Sequence, residues 1–418
     1  MKLKKLFIIA VLAAGFVSCD SDEAGSVNQQ DNKPRLNIPL SSTESAAVAN
    51  TNGFGLRLFE SLSSGVGEQN VFFSPLISSL NLSLLANGSA GETRSEILAA
   101  LGVDDSQIGD LNTAMHKIIT SLPGADNMAE LTLASSLWLA DFCHPSAAFT
   151  GVSADSYKSA IHTYPFRSPT LAADINKWCA DNTGGAIKQL VQQSQVNNSV
   201  FCILGATVFS GQWANKFSGE TVDDVFYTTN QGERSVKMMN DHRDYNISTS
   251  DKVSMLKKPF GNGSFSIAFL LPHEGIALGD AIKSLDADSW SALTDVDALK
   301  LYNVTLSVPR LDITAECDLI PHYDKLGIHE ALTDNADFSN ITGGKGGVAL
   351  QLSLQKAKFT MDEDGAKAVA AQIDAGMPID AGPDWTEKKD FRLDRPFAFV
   401  ILENSTKVIM FAGKVECP

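Results

Sequence analysis

The sequence predicts an α+β protein, and four stretches carry that expectation. Val348–Met361 alternates apolar and polar residues through Leu350, Leu352 and Leu354, then changes phase to Ala357, Phe359 and Met361. A period of two marks a strand, and the change of phase predicts a bulge within it. Phe397–Leu402 and Lys407–Phe411 are apolar runs on either side of Glu403-Asn404-Ser405-Thr406, which reads as a hairpin. Helical spacing appears at Asn52–Phe59, through Phe54, Leu58 and Phe59, and a second helix, implied by a family resemblance given below, is expected to open at Pro75 and continue through Leu85. Proline suits the first turn of that second helix, and Ser74 stands where a cap is needed.

The chain opens with an export signal. Lys2, Lys4 and Lys5 precede an apolar run, Leu6–Val17, that is too short to span a bilayer. The run ends Phe16-Val17-Ser18-Cys19, which resembles a lipobox with an off-consensus Phe16. Residues 1–18 are therefore expected to be a signal peptide and Cys19 a lipidated mature N-terminus. Asp20-Ser21-Asp22-Glu23 comes at once and resembles the surface-export signal of Bacteroidetes lipoproteins. The expected location is the outer membrane, exposed at the cell surface, with periplasm-facing attachment as the alternative. Residues 19–42 are polar and read as a tether. No second linker of that composition appears, so residues 43–418 are expected to be one large domain.

Composition bounds the function. The hydrophobic share of 44% and charged share of 20% are those of a soluble globular protein, and a net charge of -16 argues against nucleic-acid or polyanion partners. The six cysteines, Cys19, Cys143, Cys179, Cys202, Cys317 and Cys417, are widely spaced, with no C-x-x-C and no metal-like spacing with histidine. Buried structural thiols are the default reading. The seven histidines form no catalytic constellation, and there is neither a G-x-S-x-G nor an H-E-x-x-H motif. Gly343-Gly344-Lys345-Gly346-Gly347 lacks the P-loop pattern. No enzymatic activity, cofactor or metal is expected.

Everything else is organised around Met361–Asp380, M-D-E-D-G-A-K-A-V-A-A-Q-I-D-A-G-M-P-I-D, which joins the predicted strand to the later hairpin. Its physical character is that of a segment able to enter a sheet. Alternation places Ala366, Ala368 and Ala370 on one face, and small side chains there slide between strands without a clash. Gly365 supplies the freedom of a pivot. Gln372 and Asp374 continue that face and are less favourable, because a buried unpaired amide or carboxylate costs a few kcal/mol.

This segment resembles the hinge and reactive-centre loop of serpins, whose hinge reads roughly E-x-G-T-E-A-A-A-A-T. Glu363 and Gly365 stand in place, followed by Ala366-Lys367-Ala368-Val369-Ala370-Ala371. The resemblance runs from Asn52 to Pro418. Asn70-Val71-Phe72-Phe73-Ser74-Pro75 is similar to N-I-F-F-S-P, and Ala134–Trp138 matches a central strand. Asp174–Trp178 with Thr183–Leu190 resembles a helix lying across the main sheet. Phe209, Gly211 and Trp213 fall in family positions, as do Leu326-Gly327-Ile328, Ala336–Ser339 and Arg395-Pro396-Phe397.

The resemblance implies three β-sheets with about nine helices and an exposed loop. It also implies a suicide inhibitor of serine proteases that acts as a monomer. Cleavage would leave a covalent acyl-enzyme, and the loop would insert into the main sheet. No basic helical patch suggests a heparin site. Family spacing from Glu363 puts the scissile bond at Ile379–Asp380. That suits an elastase- or subtilisin-like protease, with papain-like cysteine proteases as further targets. Ala381, Trp385 and Lys388 remain alternatives because the segment up to Phe397 is long. A non-inhibitory binding protein is the alternative function. Trp213 is expected where the loop enters, and Ser74 in the polar shutter that controls sheet opening. In that shutter the family's second serine falls at Ile77, its asparagine at Gly205 and its histidine at Gln355. These three linked changes suggest a rebuilt cluster in which Ser78, Ser79 or Asn81 partners Gln355.

Overall fold

The computed structural model describes residues 33–418, apart from 65–66, 68, 231 and 367–386. Two hydrogen-bonded sheets carry the fold. The six-stranded main sheet runs, edge to edge, Leu311–Asp318, Ser353–Met361, Gly365–Ala366, Phe201–Gln212, Ala129–Ala140 and Ala160–Tyr164. The larger, nine-stranded sheet contains the hairpin Phe397–Glu403 and Ile409–Val415, extends through Phe265–Pro272, Val253–Pro259, Glu233–Thr249 and Lys300–Pro309, and ends on Lys388–Arg392.

Among the described residues the strands fall into two hydrogen-bonded sheets where three were expected, and one long strand explains the difference. Glu233–Thr249 pairs with Val222–Tyr227 at one end, with Val253–Pro259 at the other, and with Lys300–Pro309 between, so what would be two sheets share a continuous ladder. Among the described residues there are eleven α-helices rather than about nine, and four of these, Gln193–Val196, Leu278–Lys283, Ile320–Lys325 and Ser339–Thr342, are single short turns.

The helix Pro75–Gly88 forms the centre of the core. Ser74 caps it, accepting from the Ile77 amide at 3.2 Å, and proline occupies its first position. Every residue in it except Asn87 is buried, which is why it lacks an amphipathic face. Helix and sheet face each other through the strand Ser353–Met361: Gln355 points to this helix, while the alternate residues Lys356 and Lys358 reach the opposite face, beside Ala186–Gln189.

The bulge expected in that strand is absent. Its ladder with Leu311–Asp318 is unbroken from Leu354 to Met361. The apolar pattern changes phase because a polar residue, Gln355, occupies the core-facing position next to Leu354, which is buried on the other face. The tether also ends sooner than expected. Ile38 is buried, the Leu36 amide donates to Ser264 Oγ at 2.9 Å, the Ile38 amide donates to Ser405 Oγ at 3.1 Å, and Lys33–Pro418 form one unit. The five described cysteines are free thiols, four of them buried. Burial pushes the Cys317 thiol up to about 12 and those of Cys179 and Cys202 to about 11, which keeps them unreactive. Among the described residues, no helix is long and apolar enough to cross a membrane, and no group of acidic, histidine and cysteine side chains could hold a metal.

Candidate functional site

The hinge is already seated in the main sheet. After Met361 the chain turns, with the Asp362 carboxylate accepting from the Asp364 amide at 2.9 Å and the Gly365 amide at 3.2 Å. Gly365 and Ala366 then pair antiparallel with Gln212 and Gly211, while Ala366 also pairs with Met361. Ala366 is 0% exposed. Only glycine fits before it. Gly365 has φ +154°, and a Cβ there would fall inside contact distance of the Gly211 carbonyl oxygen.

Glu363 ties this turn to the neighbouring strand. Arg310 grips its carboxylate as a fork, Nη2 to Oε1 at 2.7 Å and Nε to Oε2 at 3.0 Å, and Thr221 Oγ1 donates to the same group. Burial alone would raise the Glu363 pKa; the Arg310 and Thr221 hydrogen bonds outweigh it and hold the carboxyl below its usual range. Lys216 pairs with Asp364 at 2.8 Å.

Trp213 lies directly beside the turn. Its amide donates to the Asp364 carbonyl at 3.0 Å and its indole Nε1 to the Asp362 carbonyl at 2.9 Å, while its ring stacks on Phe260 at 4.5 Å. Beneath it sits a buried ion pair. Lys258 Nζ donates to the Asn215 carbonyl and to Tyr245 OH, both at 2.8 Å, reaches Asp241 at 3.3 Å, and lies over the Trp213 and Phe217 rings. Asp241 accepts from Ser218 Oγ at 2.7 Å, Tyr245 OH at 2.6 Å and Arg243 Nε at 2.7 Å. These contacts fix residues 213–218, whose backbone holds the hinge. Burial opposes the Asp241 charge, but its donors win and bring the carboxyl down to about 2. Burial brings Lys258 down to about 8.

Halfway down the sheet lies the polar cluster expected to form the shutter. Gln355 and Ser74 exchange two bonds: the Ser74 amide donates to Gln355 Oε1 at 2.9 Å, and Gln355 Nε2 donates to the Ser74 carbonyl at 3.1 Å. Gln355 Nε2 also donates to Ser78 Oγ at 2.6 Å, and Ser74 Oγ donates to the Met410 carbonyl at 2.7 Å. Ser78 is thus the partner of Gln355. Ser79 turns away to the Thr51 carbonyl, and Asn81 accepts from Ser135 at 2.8 Å. The other two changes compensate each other in volume, because a Cβ on Gly205 would overlap Ile77 Cγ2.

The model of the family described as serpin (serine protease inhibitor) matches residues 49–418. The chain belongs to the serpin family. A serine protease inhibitor of Cyanea capillata is 26% identical, with the alignment covering 87% of this chain and 96% of that one. The thyroxine-binding globulin of Rattus norvegicus is 28% identical over 87% of each. Among solved structures, the native state of the thermophilic serpin tengpin superposes with a TM-score of 0.78 at 26% identity, covering 92% of this chain and 97% of that one. Serpins are generally protease inhibitors, and some members are not.

On this serpin, Ser74 and Gln355 meet in the shutter, and Trp213, Glu363, Gly365 and Ala366 meet at the top of the main sheet. Cys19, Ala368, Ala370, Ala371, Ile379, Asp380, Ala381 and Trp385 lie outside the described residues. Lys388, an alternative for the scissile bond, pairs with Asn303 in a parallel ladder that continues to Arg392. Its backbone is therefore already paired within a sheet. Arg392 anchors that strand between Asp224 and Asp394.

Sequence reasoning missed Thr221, Asp241, Lys258 and the role of Arg310. A charge in an apolar strand pattern names no partner.

Proposed function

We propose that this serpin is a suicide-substrate inhibitor of an elastase- or subtilisin-like serine protease. The protease cleaves the loop at Ile379–Asp380, is held as an acyl-enzyme, and is carried away as the loop inserts into the main sheet. The observation that supports this reading is the pairing of Gly365 and Ala366 between the two flanking strands of the main sheet. A loop that inserted after cleavage in the same register would bring residues 367–370 level with Ser210–Thr207 on one side and Thr360–Ala357 on the other. Ala368 would then meet Phe209 and Phe359, and Ala370 would meet Thr207 and Ala357. All four of these residues are core-facing and buried, so small side chains are what an inserting strand needs there.

The same reading makes Cys19 a lipid anchor that holds the inhibitor at the outer membrane, facing outward across the acidic tether. A Cys19→Ala substitution should abolish fatty-acid labelling and release the protein from membranes. The test of inhibition is incubation of residues 20–418 with pancreatic elastase and with subtilisin, then a denaturing gel and intact mass. A detergent-resistant complex and a released peptide starting at Asp380 are expected. Loop cleavage with the protease still fully active would support the non-inhibitory alternative.

A further inference from the structure

On the face of the main sheet away from the helix Pro75–Gly88, the chain leaves the helix Leu171–Asn182 and passes beside the strands Leu311–Asp318 and Ser353–Met361. Its course there is fixed. Thr183 Oγ1 accepts from the Ile187 amide at 3.2 Å, and Asn176 Oδ1 accepts from the Leu190 and Val191 amides at 2.7 and 3.0 Å. Ile187, Leu190 and Val191 are buried. Between this crossing segment and the two strands lies a cavity of about 310 Å³. That is the lower end of the size range of small-molecule pockets, and walls tied by hydrogen bonds are formed before any ligand arrives. Lys356 and Lys358, two residues apart on one strand, line it from below, with Thr314 opposite Lys358 in the ladder. Lys188 lines it from the crossing segment.

We infer that this cavity binds a small amphipathic carboxylate, an aliphatic chain of medium length ending in one anionic head. The lining supplies both halves. Ile187 and the methylene stems of the lysines are apolar surface for the chain, while the three ammonium groups and the Thr314 hydroxyl are donors for the head. These charges are not spent inside the protein. Lys356 and Lys358 reach Glu316 and Asp312 only at 3.6 and 3.9 Å, too long for hydrogen bonds, and Lys188 has no hydrogen-bond or ion-pair partner among the described residues. Both carboxylates are exposed, so three cations stand against two distant anions in a chain whose net charge is -16. Size sets the chain length. At about 30 Å³ of liquid volume per water, a space of 310 Å³ accommodates a ligand of about ten heavy atoms, which is the count in an eight-carbon carboxylate. Sulfate or phosphate would leave the apolar wall uncovered, and a neutral lipid would leave the ammonium groups without a counter-charge. The site lies on the face opposite Gln355 and Ser74, so it stands independently of the protease reading.

The probe is octanoate, titrated by calorimetry into the soluble protein, residues 20–418. Octanol and acetate are the comparison arms, carrying the chain alone and the charge alone. Octanoate should bind one per chain with a Kd of about 1 mM or tighter, and about tenfold more tightly than either arm. Lys356→Gln, Lys358→Gln and Lys188→Gln change side chains that reach solvent, so each variant should melt at the wild-type temperature without ligand. Each should weaken octanoate about threefold, and Lys356→Gln with Lys358→Gln about tenfold, with octanol unaffected. Lys300→Gln, on the larger sheet, makes the same charge change elsewhere and should bind as wild type does. Octanol binding as tightly as octanoate, a double variant that binds octanoate like wild type, or no saturation by about 10 mM, ten times the expected Kd, would each overturn the site.

Discussion

At the scale of single residues, the buried cluster beneath Trp213 is governed by charge. Asp241 sits at about 2 in the folded protein against an ordinary value of 3.8. A carboxyl with a depressed folded pKa adds stability above its unfolded value and loses it as pH falls through its folded one. Asp241 should therefore contribute about 2 kcal/mol above pH 4, fading between about pH 4 and pH 2. Chemical denaturation at stepped pH should show this slope in wild type and lose most of it in Asp241→Asn. Removing the partner cation behaves differently. Lys258→Met leaves Asp241 with Arg243 and Tyr245 but empties the space under Trp213 and Phe217, and should cost about 2–4 kcal/mol in denaturant melts. The double variant should lose less than the two single losses together, because the second substitution removes a charge the first left stranded.

At the scale of elements, two close approaches decide whether strands and helix can meet. Gly205 is the place where a strand touches the helix Pro75–Gly88 through Ile77. Gly205→Ala should destabilise the protein by about 1–3 kcal/mol through overpacking, and Ile77→Ala added to it should recover part of that loss. Thermal melts of the four forms make the cycle. Gly365→Ala tests the other approach, where a Cβ would meet the Gly211 carbonyl. The hinge should leave its two-rung seat, exposing Ala366. Limited proteolysis should then cut near residue 366 faster than in wild type, with the rest of the fold intact.

At the scale of the whole molecule, the segment ahead of the first helix belongs to the domain. Residues 33–41 bury Ile38 and hydrogen-bond to Ser264 and Ser405, which lie far along the chain. A protein starting at Ser42 should be less stable than one starting at Lys33 by about 2–4 kcal/mol, from the Ile38 side chain and the lost bonds. Scanning calorimetry of the two lengths would measure it. Among the described residues, the strands Ser353–Met361 and Phe201–Gln212 pair with each other over four rungs, and Gly365–Ala366 lies between them at the other end.

What was legible in the sequence was local or periodic. The hairpin announced itself by its turn, the helix after Ser74 by its cap and proline, and the hinge by glycine followed by small residues. The family pattern then implied a main sheet with a polar shutter. These features depend on neighbours in the chain, where spacing is known. The partners across the fold were not legible. That Ser78 rather than Ser79 bonds Gln355, that Gly205 makes room for Ile77, that Arg310 and Thr221 hold Glu363, and that the phase change before Ala357 is a buried glutamine rather than a bulge all depend on contacts between distant segments. A side chain's chemistry states what it can bind. Only the packing of helix on sheet decides which group, among many of the same chemistry, arrives within hydrogen-bonding distance.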